Sequence, residues 1–213
     1  MPHDPSKVLV TGGAGFIGSH IVHRLLQEGF QVGVLDNFST GDLENIPKSI
    51  PDSLQIHKGD ISDYSFVEPI VREYEAIIHQ AALVSVTRSI QDPVSANRVN
   101  ITGTINLLKA ALDSKIEQFL YASSSSVYGE TQTLPKKETM SPSPISPYAA
   151  SKLAAENYCR VFAKVYGLQT VCLRYFNVYG PRQKYGPYSG VIPIFIQTVM
   201  NGKPPIIYGD GEQ

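Results

Sequence analysis

The sequence predicts an α/β fold with a doubly wound parallel sheet. Three observations carry this prediction. Short strand-like runs alternate with longer amphipathic segments, the runs are near-continuous Val, Ile and Leu, and the first leads into a glycine turn that opens a helix. KVLVT (7–11) is the first strand, with a helix after the turn to about Glu28. QVGVLD (31–36) and LQIHKGD (54–60) are the second and third strands, followed by a helical pattern over 63–74. AIIHQA (76–81) and QFLYAS (118–123) are the fourth and fifth, separated by a helix over 94–114. The Pro- and Ser-rich stretch 133–147 is a loop, because PSPISP can continue neither element. A helix over 148–166 and a sixth strand, TVCLR (170–174), complete the alternation. Beyond about residue 175 it stops: turn-rich YGPRQKYGPYSG precedes one apolar helix, VIPIFIQTVMNG. The reading is a first domain over 1–175 and the beginning of a smaller lobe over 176–213.

Composition excludes several classes. The chain has 213 residues, 42% of them hydrophobic, and a net charge of −1. No apolar run reaches the ~18 residues of a membrane helix, and MPHDPSKVLVT lacks the pattern of a secretory signal. No basic cluster exceeds Lys136-Lys137, which argues against a nucleic-acid partner. Cys159 and Cys172 have neither metal nor redox spacing; they read as free thiols in a reducing cytoplasm, with no metal site.

The glycine turn is specific in its context. Gly12-x-x-Gly15-x-x-Gly18, with Gly13 overlapping, follows a strand and opens a helix, as a Rossmann dinucleotide site requires. Glycines let the backbone approach a pyrophosphate, whose charge a helix N-terminus stabilises. Asp36 ends the second strand, 18 residues after Gly18, where a carboxylate can accept from both adenine-ribose hydroxyls. The same carboxylate would repel a 2′-phosphate, so NAD is expected rather than NADP.

SPYAASK (146–152) sets Tyr148 and Lys152 four residues apart, on one face of a helix. Alone the spacing says little: with 12 tyrosines, and lysine at about one residue in twenty, roughly half such a pair arises by chance. The surrounding blocks give it meaning. TGGAGFIGS (11–19), DNFSTG (36–41), GDISD (59–63), HQAALVSV (79–86), VNITGTINLLKAA (99–111), SSSSVYG (123–129), SPYAASK, LRYFNVYGPRQ (173–183) and YGDGEQ (208–213) occur in order. Together they make the chain resemble the extended short-chain dehydrogenase/reductases, and within them the nucleotide-sugar epimerases.

The resemblance implies NAD as cofactor and a catalytic set of Ser124, Tyr148 and Lys152. Tyr148 would be the general base, its pKa brought below the usual ~10 by the Lys152 ammonium and the nicotinamide charge. The cofactor contacts implied are Gly12, Gly15, Phe16, Ile17, Gly18, Asp36, Asn37, Ser39, Thr40, Gly41, Asp60, Ile61, Gln80, Ala81, Ala82, Asn100, Tyr148, Lys152 and Tyr175. Asp60 and Ile61 would flank the adenine, Gln80, Ala81 and Ala82 line the cleft, and Asn100 pack beneath it. Ser85, Ser124, Tyr148, Asn177 and Val191 would meet the substrate, Asn177 at its diphosphate.

Related 4,6-dehydratases carry an Asp-Glu pair where this chain has Ser125 and Ser126, and UDP-glucuronate decarboxylases carry Glu at Ser126. Elimination needs an acid that hydroxyls do not supply, which leaves oxidation and re-reduction at C4. The expected reaction is 4-epimerisation of a UDP-hexose through a 4-keto intermediate. UDP-glucose/UDP-galactose and the N-acetylhexosamine pair stay open, as does UDP-glucuronate. A cofactor-releasing sugar-nucleotide oxidoreductase and a non-catalytic NAD-binding module are the rival classes. Relatives run well beyond YGDGEQ, so a truncated chain is expected. Helices 94–114 and 148–166 match the pair through which relatives form a homodimer.

Overall fold

The computed structural model describes residues 6–47, 51–184, 191–207, 209 and 211. Six parallel strands form one sheet in the order β3-β2-β1-β4-β5-β6: β1 Lys7–Thr11, β2 Gln31–Asp36, β3 Leu54–Lys58, β4 Ala76–His79, β5 Gln118–Ser124 and β6 Thr170–Tyr175. The predicted third and fourth strands stop two residues early, since Gly59 and Gln80 already belong to the loops at the carboxyl edge. Helices α1 (Phe16–Gln27), α2 (Tyr64–Val71), α3 (Val86–Gln91), α4 (Pro93–Asn97), α5 (Gly103–Asp113) and α6 (Pro147–Tyr166) connect the strands. Strand order reverses between β1 and β4, and in such sheets ligands bind outside the carboxyl ends at the reversal.

The near-continuous apolar strands are explained by two core clusters, one on each face of the sheet. In β1, Leu9 joins Ile77, Phe119, Leu107 and Leu108 in one cluster. Its neighbours Val8 and Val10 join Val22, Val32 and Val34 in the other. A strand buried on both faces has no polar positions to alternate. Strand β6 differs: Val171 and Leu173 are exposed, so the edge strand is covered on one face only.

Two local features went unread in the sequence. Helix α3 is short because Asp92-Pro93 ends it, while the Asp92 side chain caps α4 by accepting from the Ser95 N–H. The predicted helix over 94–114 is interrupted between α4 and α5 by a π turn, Arg98–Thr102. Such turns are often found at functional sites.

The chain divides into two compact units, Met1–Phe176 and Asn177–Gln213. The second contains α7 (Val191–Met200), none of whose residues is buried. Residues 185–190 of the turn-rich stretch, and 208, 210, 212 and 213 of YGDGEQ, lie outside the described residues. Among the described residues, no helix is long and apolar enough to cross a membrane.

Candidate active site

At the end of β1 the chain turns on Gly12, whose φ of +68° suits glycine and whose N–H donates to the Leu35 carbonyl at 2.8 Å. A Cβ there would lie 2.7 Å from the Ala81 nitrogen, and one at Gly18 would lie 2.1 Å from the Gly12 oxygen. Gly15 occupies the N-cap of α1, which no side chain caps. The first-turn amides of Phe16, Ile17 and Gly18 therefore lack a side-chain acceptor, and the positive end of the helix is available to an anion.

Asp36 lies behind this turn. Its Oδ2 accepts from the Ala14 N–H at 3.0 Å and its Oδ1 from the Phe38 N–H at 2.8 Å. Burial raises its pKa, and the two backbone bonds oppose the rise. Gly41 lets the following loop cross the carboxylate, since a Cβ would fall 2.9 Å from Oδ1. Asn37 receives the Ser39 N–H on Oδ1 at 3.0 Å and donates from Nδ2 to Asp60 Oδ2 at 3.1 Å. Asp60 also accepts the Ser62 N–H and hydroxyl, both at 2.8 Å. These bonds join the loops after β2 and β3. A cavity lined by Phe38, Gly41, Asp42, Leu43, Ile56 and Lys58 lies beside the loop after β2. Uncapped amides, a glycine cradle and a half-satisfied carboxylate fit a dinucleotide. Thr40 lies exposed in the loop after β2, and Ile61, in the loop after β3, is buried.

A closed polar chain runs beneath the loop after β4. The Thr104 hydroxyl donates to the Asn100 carbonyl at 2.7 Å, so it accepts from His79 Nε2 at 3.0 Å. His79 Nδ1 then accepts from Thr11 Oγ1 at 2.7 Å, and Thr11 Oγ1 accepts the Ala81 N–H at 3.2 Å. The bonding network thus assigns the Nε2–H tautomer. Asn100, in the π turn, accepts the Leu83 N–H at 2.7 Å and donates to the Leu83 carbonyl at 3.1 Å and Ser151 Oγ at 2.9 Å. Ser151 in turn donates to the Tyr148 carbonyl at 2.7 Å. Asn100 is 1% exposed and its side chain is fully used, so it holds the 80–84 segment from below.

Burial pushes His79 down to about 3, helped by the Lys152 charge. An unfolded imidazole titrates near 6.5, so below that pH the unfolded chain binds a proton that the fold excludes. His79's stabilisation is therefore complete above pH ~6.5 and lost as pH falls toward 3, by at most about 1.4 kcal/mol per unit. Urea midpoints measured from pH 7 to 4 are expected to fall, with a shallower slope in His79→Asn.

The predicted catalytic residues meet where α6 passes the carboxyl end of β5. Ser146 caps α6, accepting the Ala149 N–H at 3.1 Å, and the Tyr148 N–H donates to Ser89 Oγ at 3.0 Å. The Tyr148 phenol lies close enough to the Ser124 hydroxyl, at the end of β5, for it to lower the phenol's pKa. Ser124 Oγ also accepts from the Ser126 N–H at 3.1 Å and hydroxyl at 2.9 Å. Lys152, one turn along α6 and 3% exposed, donates to the Ala122 carbonyl at 2.8 Å and lies 5.0 Å from the Tyr121 ring centre. Burial brings the Lys152 ammonium down to about 8.

The expected lowering of the Tyr148 pKa is not what the protein's own groups produce. Burial raises it, and only the neighbouring Ser124 hydroxyl opposes the rise. The Lys152 ammonium is spent on Ala122 and the Tyr121 ring. Gln80 donates from Nε2 to Tyr175 Oη at 3.1 Å, and Ala81 and Ala82 follow, half-buried, at the edge of β4. Ser85 uses its hydroxyl to cap α3, accepting the Arg88 N–H at 3.1 Å. Asn177 and Val191 belong to the second unit, where both are exposed. Sequence reasoning missed Ser89, Ser151 and a buried acid, Glu156. The last had a signal: it lies four residues beyond Lys152 on the same helix face. Among the described residues, no His/Cys/Asp/Glu group could hold a metal ion.

Several known proteins resemble this chain. A UDP-N-acetylglucosamine 4-epimerase from Methanobrevibacter ruminantium, solved with UDP-N-acetylmuramic acid, superposes with a TM-score of 0.93 at 44% identity, covering 99% of this chain and 68% of its own. A UDP-glucose 4-epimerase from Thermus thermophilus, solved with NAD, gives 0.85 at 47% identity over 93% of this chain and 64% of its own. A UDP-N-acetyl-alpha-D-glucosaminuronate decarboxylase from Bacillus cytotoxicus is 36% identical over 97% of this chain and 65% of its own. The chain thus spans about two thirds of the length of these relatives. Residues 8–213 match the NAD dependent epimerase/dehydratase family, and the chain belongs to it.

Proposed function

We propose that the chain carries the NAD site and catalytic set of a UDP-hexose 4-epimerase. The observation that supports this best is the meeting of Ser124 and the Tyr148 phenol at the end of β5, with Lys152 buried one turn away and only hydroxyls at 125 and 126. Gly12, Gly15 and Gly18 with the amides of α1 would hold the pyrophosphate, and Asp36 the adenine ribose. NAD, when bound, supplies a site that accepts hydride from sugar C4 and returns it. Tyr148, with Ser124, takes the proton from the C4 hydroxyl and gives it back after the keto sugar has turned over. The Lys152 ammonium, bound to the Ala122 carbonyl, leaves the shift toward phenolate to the positive nicotinamide charge that NAD would bring.

Decarboxylation, the reaction in one relative's name, is disfavoured by the serine run. Ser126 Oγ is 2.9 Å from Ser124 Oγ, so a hydroxyl stands where the family's decarboxylases carry Glu. The sugars of the two solved epimerases make UDP-glucose/UDP-galactose and the N-acetylhexosamine pair the proposed substrates. The purified chain is to be incubated with UDP-glucose, UDP-N-acetylglucosamine and UDP-glucuronate and the products resolved by NMR. A 4-epimer of either of the first two supports the reading. A product epimerised only from UDP-glucuronate moves it to the uronate branch, and net NADH release moves it to a dehydrogenase.

The cofactor preference has its own test. A 2′-phosphate would meet the Asp36 carboxylate, so NADP is expected to bind at least ~10-fold more weakly than NAD, about 1.4 kcal/mol. Titration calorimetry with both nucleotides checks this. The proposed assembly is a homodimer through α4, α5 and α6, whose outer faces leave Val94, Tyr158, Val161 and Val165 exposed. Two free thiols favour a cytoplasmic location.

A further inference from the structure

Behind the catalytic face of α6, Glu156 is 6% exposed and joined to both neighbouring strands. Its Oε2 accepts from the Ser123 hydroxyl on β5 at 2.9 Å and from Arg174 Nε on β6 at 3.1 Å. Its Oε1 accepts from Arg174 Nη2 at 2.6 Å. The guanidinium also lies 4.7 Å from the Tyr128 ring centre. Ser123 pairs in register with Arg174, and the next pair along is Ser124 with Tyr175. The carboxylate therefore grips β5 and β6 one residue before each presents a site side chain. From the same helix face, Lys152 and Tyr148 project one and two turns earlier.

A buried ion pair is weak evidence of stabilisation, because apolar residues of similar volume often replace it without loss. Its geometry is the more informative feature. Three elements carry the proposed site, and one carboxylate bonds across all three. We propose that Glu156 is a positioning residue, which through Ser123 and Arg174 sets the distance between the Tyr148 phenol and Ser124. This rests on the proposed epimerase reading for its kinetic consequence but not for its geometry.

The test separates positioning from stability. Glu156→Gln leaves the Arg174 charge buried without its partner and is expected to lower Tm. The double variant Glu156→Met with Arg174→Met removes both charges and is expected to return Tm to within a few degrees of wild type. Turnover is expected to stay depressed in that double variant, kcat falling roughly 10–100-fold with KM within about threefold, as for a misplaced reacting group. The Tyr148 phenol, read as the absorbance difference between each protein and its own Tyr148→Phe version, is expected to titrate roughly half to one pH unit higher, as withdrawal of the Ser124 hydroxyl from the phenol gives. A double variant with wild-type phenol titration overturns the proposal, whether or not the wild type epimerises any sugar. Wild-type kcat in the double variant does the same. A wild type without epimerase activity would sink the functional reading alone, and the titration would still decide the clamp.

Discussion

Replacing Tyr148 by Phe is expected to lower turnover of the epimerised UDP-sugar by roughly 10²–10⁴-fold, the usual contribution of a positioned general base. The substitution removes one oxygen and keeps the ring. The helix cap at Ser146, the bond from the Tyr148 N–H to Ser89 and the Ser151 bond to its carbonyl all use backbone atoms, so α6 stays in place. The proposed cofactor cradle, Gly12–Gly18, is on other elements. NAD affinity by calorimetry is accordingly expected to change by less than about threefold, well under 1 kcal/mol. Turnover within tenfold of wild type would remove Tyr148 from the chemistry.

Gly18→Ala is expected to fail in the opposite way. The new Cβ would fall 2.1 Å from the Gly12 oxygen and 2.9 Å from the Gly13 Cα. Both are backbone atoms, so no flexible side chain can yield, and either α1 or the turn must move. Overpacking of this kind typically costs about 1–3 kcal/mol, and the clash is at the severe end. The displaced amides of α1 are those that would meet the pyrophosphate. NAD affinity is therefore expected to fall by at least ~100-fold, about 2.7 kcal/mol, together with Tm. Scanning calorimetry with and without NAD separates the two losses: the ligand-induced rise in Tm disappears as well as the intrinsic stability falling. An alanine variant binding NAD as wild type would show that the cradle lies elsewhere. The two substitutions divide the site into a chemical half and a binding half.

Much of the fold could be read from the chain because its signals are local. A strand buried on both faces is apolar through its middle, as Val8–Val10 of β1 and Ala76–Ile78 of β4 are. A turn that brings Gly12 against Ala81 and Gly18 against Gly12 must lack side chains, and the glycine spacing says so. What stayed hidden depends on partners distant in sequence. The resemblance put Asn100 beneath the cleft, but that its side chain is bonded to Leu83 and Ser151 could not be read. Glu156 reads as a solvated acid until Arg174, 18 residues away, meets it. The direction of the Tyr148 shift could not be read either: helix spacing places Lys152 on the same face but does not reveal that its ammonium donates to the Ala122 carbonyl. The π turn left no periodic mark, because one widened turn barely alters the apolar pattern on either side.

The central claim is that one hydride leaves C4 of the sugar and returns to the same carbon on its other face. UDP-glucose deuterated at C4, incubated with the NAD-loaded chain in ordinary water, tests it most directly. The account predicts UDP-galactose with the deuterium retained at C4 and no accumulation of NADH. Deuterium lost to solvent, a stable keto product with reduced cofactor, or no conversion of any UDP-hexose by an NAD-loaded chain would contradict it.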